Sequence, residues 1–229
     1  MKKFLILFWL SILTVFSQID STAIYDSGKV KFGFRLDLSN DALHGEDVQL
    51  FFGESKQSSG LGYGLALFFK QPVGKTWFME HELSFSRSRI IFKFENDDEF
   101  RLSRLNSNLQ PLNIGLKKSI FNFSAGPYLT ALLNAHSKFK NNGGQSDDSK
   151  NIFGDARDEG ENDKFLQKFD FGINFNISCQ LKFGLLINLK LMQGFVPIID
   201  NANVYTFDQD KNRFKIYNRS LLFGLGWAF

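Results

Sequence analysis

The chain has 229 residues, enough for one domain of moderate size, and its 28 Phe, 19 Gly and 4 Pro favour strands over helices. Its formal charge falls from +3 to +1 when Lys2 and Lys3 of the N-terminal segment are left out, so no nucleic-acid partner is expected. The single cysteine, Cys179, excludes an internal disulfide, and no apolar run after the first 17 residues approaches the roughly 18 residues of a membrane helix.

The N-terminal segment has the organisation of an export signal. Two lysines are followed by an apolar run over residues 4–16, and the small residues Val15 and Ser17 suit the −3 and −1 positions of a signal-peptidase site. A membrane anchor is the alternative, but this run is short for crossing a bilayer. We therefore predict a signal peptide over residues 1–17 and a mature domain over residues 18–229.

From residue 29 onwards, large apolar residues alternate with small or polar residues. Such alternation places successive side chains on opposite faces of a strand, whereas a helix would need apolar groups at spacings of three and four. The predicted strands cover residues 29–40, 59–71, 76–91, 102–118, 120–138, 165–181, 185–199 and 219–229. The fourth is the least regular, because Pro111 interrupts its alternation and suggests a bulge or a strand start.

The connections between these strands alternate in length. Short turns follow the second, fourth and sixth strands, and Pro72 and Gly74 supply the bend in the first of them. Longer polar segments follow the other strands, with the third the least sharply bounded. Residues 141–164 form the longest of these segments and read as a mobile loop. Such alternation is typical of an all-β, eight-stranded, antiparallel up-and-down transmembrane barrel, with short turns and both chain ends in the periplasm.

The two faces of the strands separate a membrane barrel from a soluble one. A soluble secreted barrel or sandwich, the alternative, would place its apolar face inside. Here the opposite face carries many charges and amides beside glycines, which suits the narrow interior of eight strands, where charges of both signs can pair. A small pore is the other use of these groups, but a packed interior is favoured. The predicted polar network of the lumen consists of Lys31, Arg35, Asp37, Glu80, Glu82, Asn174, Asn188 and Lys190.

The last ten residues have one large apolar face and one mostly small face. This stretch resembles the terminal strand of bacterial outer-membrane barrels, whose final aromatic residue is recognised by the assembly machinery. The resemblance implies an insertion signal formed by Phe223, Leu225, Trp227 and Phe229. We also expect Trp77 and Trp227 to lie in aromatic belts at the membrane surface, and Tyr128 to fill the lumen.

Several short segments resemble the PorT-like outer-membrane β-barrel domain family. They are residues 111–118 (PLNIGLKK), 125–129 (AGPYL), 170–172 (DFG) and 224–229 (GLGWAF). The resemblance implies an eight-stranded barrel in the outer membrane of a Bacteroidetes-type bacterium. It does not imply one activity, because a few members belong to protein-secretion machinery and most have no assigned role.

The candidate catalytic and metal-binding residues are few. His136 beside Ser137 is a pair that a lipid-modifying barrel enzyme could use, with an acidic loop residue to orient the histidine, but the spacing specifies no third member. The other histidines are His44 and His81. Oxygen ligands suit Ca²⁺, yet the acidic loop lacks the spacing of a calcium loop, so a solvated loop is favoured and no metal or cofactor is expected. Its acidic residues are Asp147, Asp148, Asp155, Asp158, Glu159, Glu161 and Asp163.

The sequence thus predicts an outer-membrane barrel with a filled lumen and a structural or interaction role through its extracellular loops. A small channel or a component of a secretion system is the alternative, and a lipid-modifying enzyme is the third hypothesis. The expected partners are the lipids of the outer membrane and, during insertion, the barrel-assembly machinery.

Overall fold

The computed structural model describes residues 29–150, 152–153, 165–181, 183–199 and 214–229. The predicted signal peptide and five acidic residues of the longest connection, from Asp155 to Asp163, lie outside these ranges. The elements in chain order are β1 (Lys31–His44), α1 (Val48–Phe52), β2 (Lys56–Val73), β3 (Trp77–Lys93), β4 (Glu99–Lys118), β5 (Phe121–Lys140), β6 (Ser146–Lys150), β7 (Phe169–Gln180), β8 (Leu185–Gly194) and β9 (Tyr217–Ala228).

Eight of these strands form a closed antiparallel ring. Each pairs with its neighbour in the order β4-β3-β2-β1-β9-β8-β7-β5, and pairing between β4 and β5 closes the ring. The short strand β6 pairs only with the end of β5 and is an addition to the ring. Because every strand of the ring has two partners, its backbone amides are satisfied without water, which a sheet in hydrocarbon requires. The predicted eight-stranded barrel is therefore confirmed.

The burial pattern is the reverse of that in a soluble protein. On β1, Phe32 and Leu36 are 59% and 61% exposed, whereas Arg35 and Asp37 are 1% and 5% exposed. The same alternation recurs along the other strands of the ring. A continuous belt of large apolar side chains thus faces outward and the polar side chains face the lumen, as expected for a barrel in lipid.

Six strands, β1 to β5 and β9, extend further than predicted at the end that carries the longer connections, here called the long-loop end, whereas β7 and β8 are shorter there than predicted. The connection between β3 and β4 has only five residues, 94–98, so the prediction of a long third connection is wrong. Residues 41–58, predicted as a loop, contain the end of β1, the short helix α1 and the start of β2. Beyond the apolar belt the strands remain paired through their backbones, but their side chains no longer alternate as strictly as lipid requires. The alternation in the sequence therefore ends before the strands do.

Two bulges change the phase of the strands. On β4, Pro111 and Leu112 together oppose the single residue His81 of β3, and the Nδ1 group of His81 donates to the Pro111 carbonyl. The bulge suggested by Pro111 is confirmed. On β5, Leu133 and Asn134 are both exposed while Leu132 is buried. The alternation therefore shifts by one residue at this point, and Asn134 does not face the lumen.

The long-loop end of the interior is apolar rather than polar. Inward positions on several strands, the helix and the loop segments form one buried cluster, here called the apolar cap. At its centre Phe52 of α1 stacks on Phe92 of β3, with ring centroids 3.8 Å apart. Within the described ranges no helix is long and apolar enough to cross a membrane. The buried members of the cap are Leu43, Phe52, Ile90, Phe92, Leu102, Leu132, Ala135, Ile152, Leu166, Ile198, Ile199, Phe214 and Ile216.

Candidate functional site in the barrel interior

A buried ion-pair cluster crosses the middle of the lumen. The guanidinium of Arg35 donates to both Asp37 oxygens, at 2.6 and 3.0 Å, and to Glu82 at 3.1 Å. From the far side, Lys190 Nζ donates to both Glu82 oxygens, at 2.6 and 2.7 Å. Two cations therefore face two carboxylates. Burying such groups is costly unless each is paired and hydrogen-bonded, and this cluster meets both conditions.

Amide side chains extend this cluster to the other strands. Gln110 donates to Glu82 at 2.8 Å, and its own oxygen accepts from Lys190 at 3.1 Å and from Asn113 at 2.8 Å. Asn174 then donates to Asn113 at 2.9 Å. Asn188 donates to a separate neighbour, Asn176. Side chains from β1, β3, β4, β7 and β8 thus meet across the lumen, which places most of the predicted polar residues in one packed layer.

Glycines on β9 make room for this layer. A Cβ atom added at Gly224 would lie 2.2 Å from Asp37 Oδ1 and 2.5 Å from Arg35 Cδ. Such distances are well inside van der Waals contact, so only glycine lets the large pair fit against β9. The small residues on the inward face of β9, which are visible in the sequence, therefore leave the space that the ion pairs occupy.

A second polar layer lies between the ion pairs and the apolar cap. Arg104 donates to Ser88 at 3.2 Å and to Asn218, while Asp170 accepts from Tyr128 at 3.3 Å and from Asn218 at 3.3 Å. The cavity beside Arg104, Asp170 and Asn218 measures only about 20 Å³. That volume is about enough for one water molecule. Tyr128 is buried and faces the lumen, where the sequence analysis expected it.

The short-turn end of the lumen has a different charge balance. Lys70 forms an ion pair with Glu80 at 3.1 Å, and its ammonium lies 4.6 Å from the centre of the Phe78 ring. The second oxygen of Glu80 is buried and has no hydrogen-bond partner among the described residues. Lys31 is only half-buried and forms no ion pair within the described ranges. Of the eight predicted network residues, Lys31 and Glu80 thus lie in this outer group rather than in the central cluster.

The predicted insertion-signal residues lie on the outer face of β9 and at its end. Phe223 and Leu225 are exposed, and Trp227 packs against Phe183 with ring centroids 5.8 Å apart. Phe229 is 73% exposed, while its backbone N–H donates to the Phe32 carbonyl at 2.8 Å. Trp77 is also exposed, at the start of β3. The terminal residue is therefore held by the backbone of β1 and presents its ring outward.

The three histidines do not share a site. Ser137 is buried, whereas its neighbour His136 is half-exposed on the opposite face, so the two cannot form a catalytic pair. His44 lies beyond the apolar belt beside Gln193, and burial together with the nearby Arg219 lowers the pKa of its imidazole. In the part of the chain that the structure describes, no group of His, Cys, Asp and Glu is arranged to hold a metal ion.

Several members of the interior network are absent from the predicted set, among them Gln110 and Lys70. Gln110 directly precedes the Pro111 bulge, where the alternation of β4 breaks, so its face was ambiguous. Lys70 follows Phe68 and Phe69, both buried, which hides the period of two at this end of β2. The bulge-forming proline was the one available signal for the first residue. For the second, its position directly across from Lys31 becomes visible only once the register is known.

The closed ring, outward apolar belt and polar lumen define a β-barrel of the bacterial outer membrane. The family model of the outer membrane protein beta-barrel domain matches residues 16–200, and the chain belongs to this family. The protein is thus located in the outer membrane. In barrels of this kind the short turns face the periplasm and the longer loops face outside.

Solved outer-membrane barrels are similar to the chain at low sequence identity. Ail of Yersinia pestis, in complex with the heparin analogue sucrose octasulfate, is 10% identical, with 88% of this chain and 100% of that chain covered and a TM-score of 0.45. Neisserial surface protein A is 10% identical, with 86% and 97% covered and a TM-score of 0.44. OprG of Pseudomonas aeruginosa is 13% identical, with 87% and 94% covered and a TM-score of 0.35. A comparison with curated proteins finds no match.

Proposed function

We propose that this barrel does not conduct and that it acts through its extracellular surface as a structural or interaction protein. The observation that carries the proposal is the cluster of Arg35, Asp37, Glu82 and Lys190, which spans the lumen with direct bonds between side chains of β1, β3 and β8. An ion would have to displace paired charges there and then cross the apolar cap, where a charge has no partner.

A planar-bilayer recording tests this proposal. The purified barrel is first shown to be folded by its gel mobility, which differs between cold and boiled samples when the barrel is closed. The expected recording shows no steady single-channel steps, while a porin recorded in the same bilayer shows them. Steady steps from the folded barrel would refute the filled-lumen proposal and favour a small channel.

The closer placement in the PorT-like family is also a proposal. Two of the segments that resemble this family form a single hairpin, in which β4 and β5 are joined by the two-residue turn 119–120 on the periplasmic side. A role in protein secretion is the alternative function that this resemblance suggests. We expect a strain lacking the protein to secrete a normal set of proteins. A secretion defect that the wild-type gene restores would favour the alternative.

We further propose that the protein is not an enzyme. The support is the placement of His136 and Ser137 on opposite faces of β5. The acyl-chain composition of membrane lipids is expected to be the same in the wild type, in a strain lacking the protein, and in a strain carrying His136→Ala. A change in the deletion strain that the wild-type protein reverses and His136→Ala does not would establish a lipid-modifying enzyme.

The proposed partners follow from the exposed surface. The outward belt of Phe, Leu and Ile would contact the lipids of the outer membrane, and the outward aromatic residues of β9 would be recognised by the barrel-assembly machinery during insertion. Nucleic acid is not a proposed partner, because the near-neutral charge expected for the mature chain provides no general attraction for it.

A further inference from the structure

Within the described ranges, the cavity at the periplasmic mouth of the barrel is lined by five lysines and by no carboxylate. Lys31 of β1, Lys70 of β2 and Lys117 of β4 line one cavity of about 480 Å³. Lys29 and Lys75 line the same cavity, at the rim of the barrel. We call this cavity the lysine mouth. It opens toward the short turns and therefore toward the periplasm.

Among the residues that the structure describes, the positive charge of the lysine mouth is largely uncompensated. Glu80 lies at its inner edge and already binds Lys70. Lys31 and Lys117 form no ion pair within the described ranges. The β1–β2 register places Lys31 directly opposite Lys70, and Lys117 is close enough to repel Lys31. Like charges directly opposite each other destabilise a strand pair, so this end of the barrel would gain stability from a bound anion.

The mouth also provides neutral hydrogen-bond donors. Asn122 of β5 is 4% exposed and lines the cavity together with Gln180 of β7. Trp77, at the start of β3, also lines the cavity. Ammonium groups and amide donors thus converge on the cavity from five strands, as in sites that hold an anion of high charge.

We propose that the lysine mouth binds a phosphate group from the periplasmic side. Lysine is a compact point charge that suits phosphate, whereas a planar carboxylate is better matched by the fork of an arginine. A phosphate monoester carries about −1.5 to −2 charges near pH 7, which would balance Lys31 and Lys117. The cavity is larger than a phosphate ion, so the natural ligand is a phosphate that bears a further group. Two sources have this chemistry: a soluble phosphate ester of the periplasm and the headgroup of a lipid in the inner leaflet.

Isothermal titration of the folded barrel with inorganic pyrophosphate tests the proposal. The titration is made in an uncharged detergent at low salt, because exposed charge interactions are screened by ions. The test variant is Lys31→Gln/Lys117→Gln, which leaves the Lys70–Glu80 pair intact. Its matched control is Lys56→Gln/Lys140→Gln, which removes the same charge from exposed positions at the opposite end. Gel mobility of cold and boiled samples confirms that each variant is folded.

The expected result is saturable binding to the wild type and the control variant, and binding about tenfold or more weaker to the test variant. Absence of saturable binding in the wild type, or an equal loss in both variants, would overturn the proposal. The proposal would also be overturned if the test variant bound pyrophosphate as tightly as the wild type and melted at a higher temperature. The lysines would then only repel each other.

Lipid nanodiscs distinguish the two sources. Pyrophosphate is titrated against the barrel in discs of phosphatidylcholine alone and in discs that also contain phosphatidic acid. If a lipid headgroup occupies the mouth, phosphatidic acid will suppress pyrophosphate binding to the wild type at equal ionic strength. If the ligand is soluble, the affinity will be the same in both discs. Neither readout involves the conductance of the barrel, so the proposal of phosphate binding and the proposal of a non-conducting barrel can fail separately.

Discussion

Replacing Glu82 by glutamine should be among the most destabilising changes that keep the size of a side chain. Glu82 is buried and accepts hydrogen bonds from Arg35, Lys190 and Gln110. The substitution removes one negative charge and leaves Lys190, which is fully buried, without a carboxylate. Breaking a buried pair by removing one partner costs about 3–5 kcal/mol. We expect the free energy of unfolding to fall by about that amount.

The double variant Glu82→Gln/Lys190→Met separates charge imbalance from loss of packing. It removes one charge of each sign and keeps the Arg35–Asp37 pair, so the central cluster is neutral again. A buried pair replaced by uncharged groups is often neutral in stability, and the double variant should therefore recover all but about 1–2 kcal/mol of the loss.

Urea unfolding in phospholipid vesicles measures these differences, under conditions where the unfolding and refolding curves coincide. Glu95→Gln is the control, because Glu95 lies exposed in the β3–β4 turn and the same substitution there should change stability by no more than about 0.5 kcal/mol. A Glu82→Gln barrel within about 1 kcal/mol of the wild type would refute the reasoning. A double variant as unstable as the single variant would show that charge pairing is not the cause.

Two further predictions concern β9. Gly224→Ala should destabilise the barrel by about 1–3 kcal/mol, because its Cβ would displace Asp37 and Arg35. The thermal midpoint measures this loss, and Gly143→Ala, where nothing lies within 4 Å of the added atom, is the control whose midpoint should not move. Deletion of Phe229 should lower the amount of protein in the outer membrane, whereas Phe229→Trp, which keeps an outward aromatic ring, should not. Immunoblotting of membrane fractions measures both, and normal levels of the deletion variant would contradict an insertion signal at the end of β9.

The ring of the barrel could be predicted because lipid and lumen impose a period of two on the crossing segments, which the bulges on β4 and β5 interrupt only locally. Leu36 and Arg35 show this directly. They are neighbours in a strand, so one faces lipid and the other faces the lumen, and their polarity indicates which is which. The apolar cap could not be predicted in the same way. Phe52 and Phe214 belong to connections far apart in the sequence, and their packing in one cluster with Phe92 of β3 depends on how the loops fold over the barrel. Outside the membrane no local periodicity records such packing.

The composition of the central cluster was visible in the sequence, but its pairing was not. Arg35, Glu82 and Lys190 lie on β1, β3 and β8, so none is on a strand adjacent to another's. Their contacts depend on the stagger of the ring, which sets the height of each residue in the lumen. The stagger in turn depends on bulges such as the one at Pro111, whose effect on register the alternation of a single segment does not reveal.

The interior changes from apolar at the extracellular end, through neutral pairs, to positive at the periplasmic mouth, and this order constrains any conduction. A cation that approached from the periplasm would first be repelled by Lys31 and Lys117, whereas an anion would be attracted. If single-channel steps were observed, a barrel with this interior should therefore select anions, and pyrophosphate added on the periplasmic side should block them. Lys31→Gln/Lys117→Gln should weaken both the selectivity and the block. Cation-selective steps in the wild type, measured from the reversal potential in a salt gradient, would contradict the sealed lumen and the lysine mouth together.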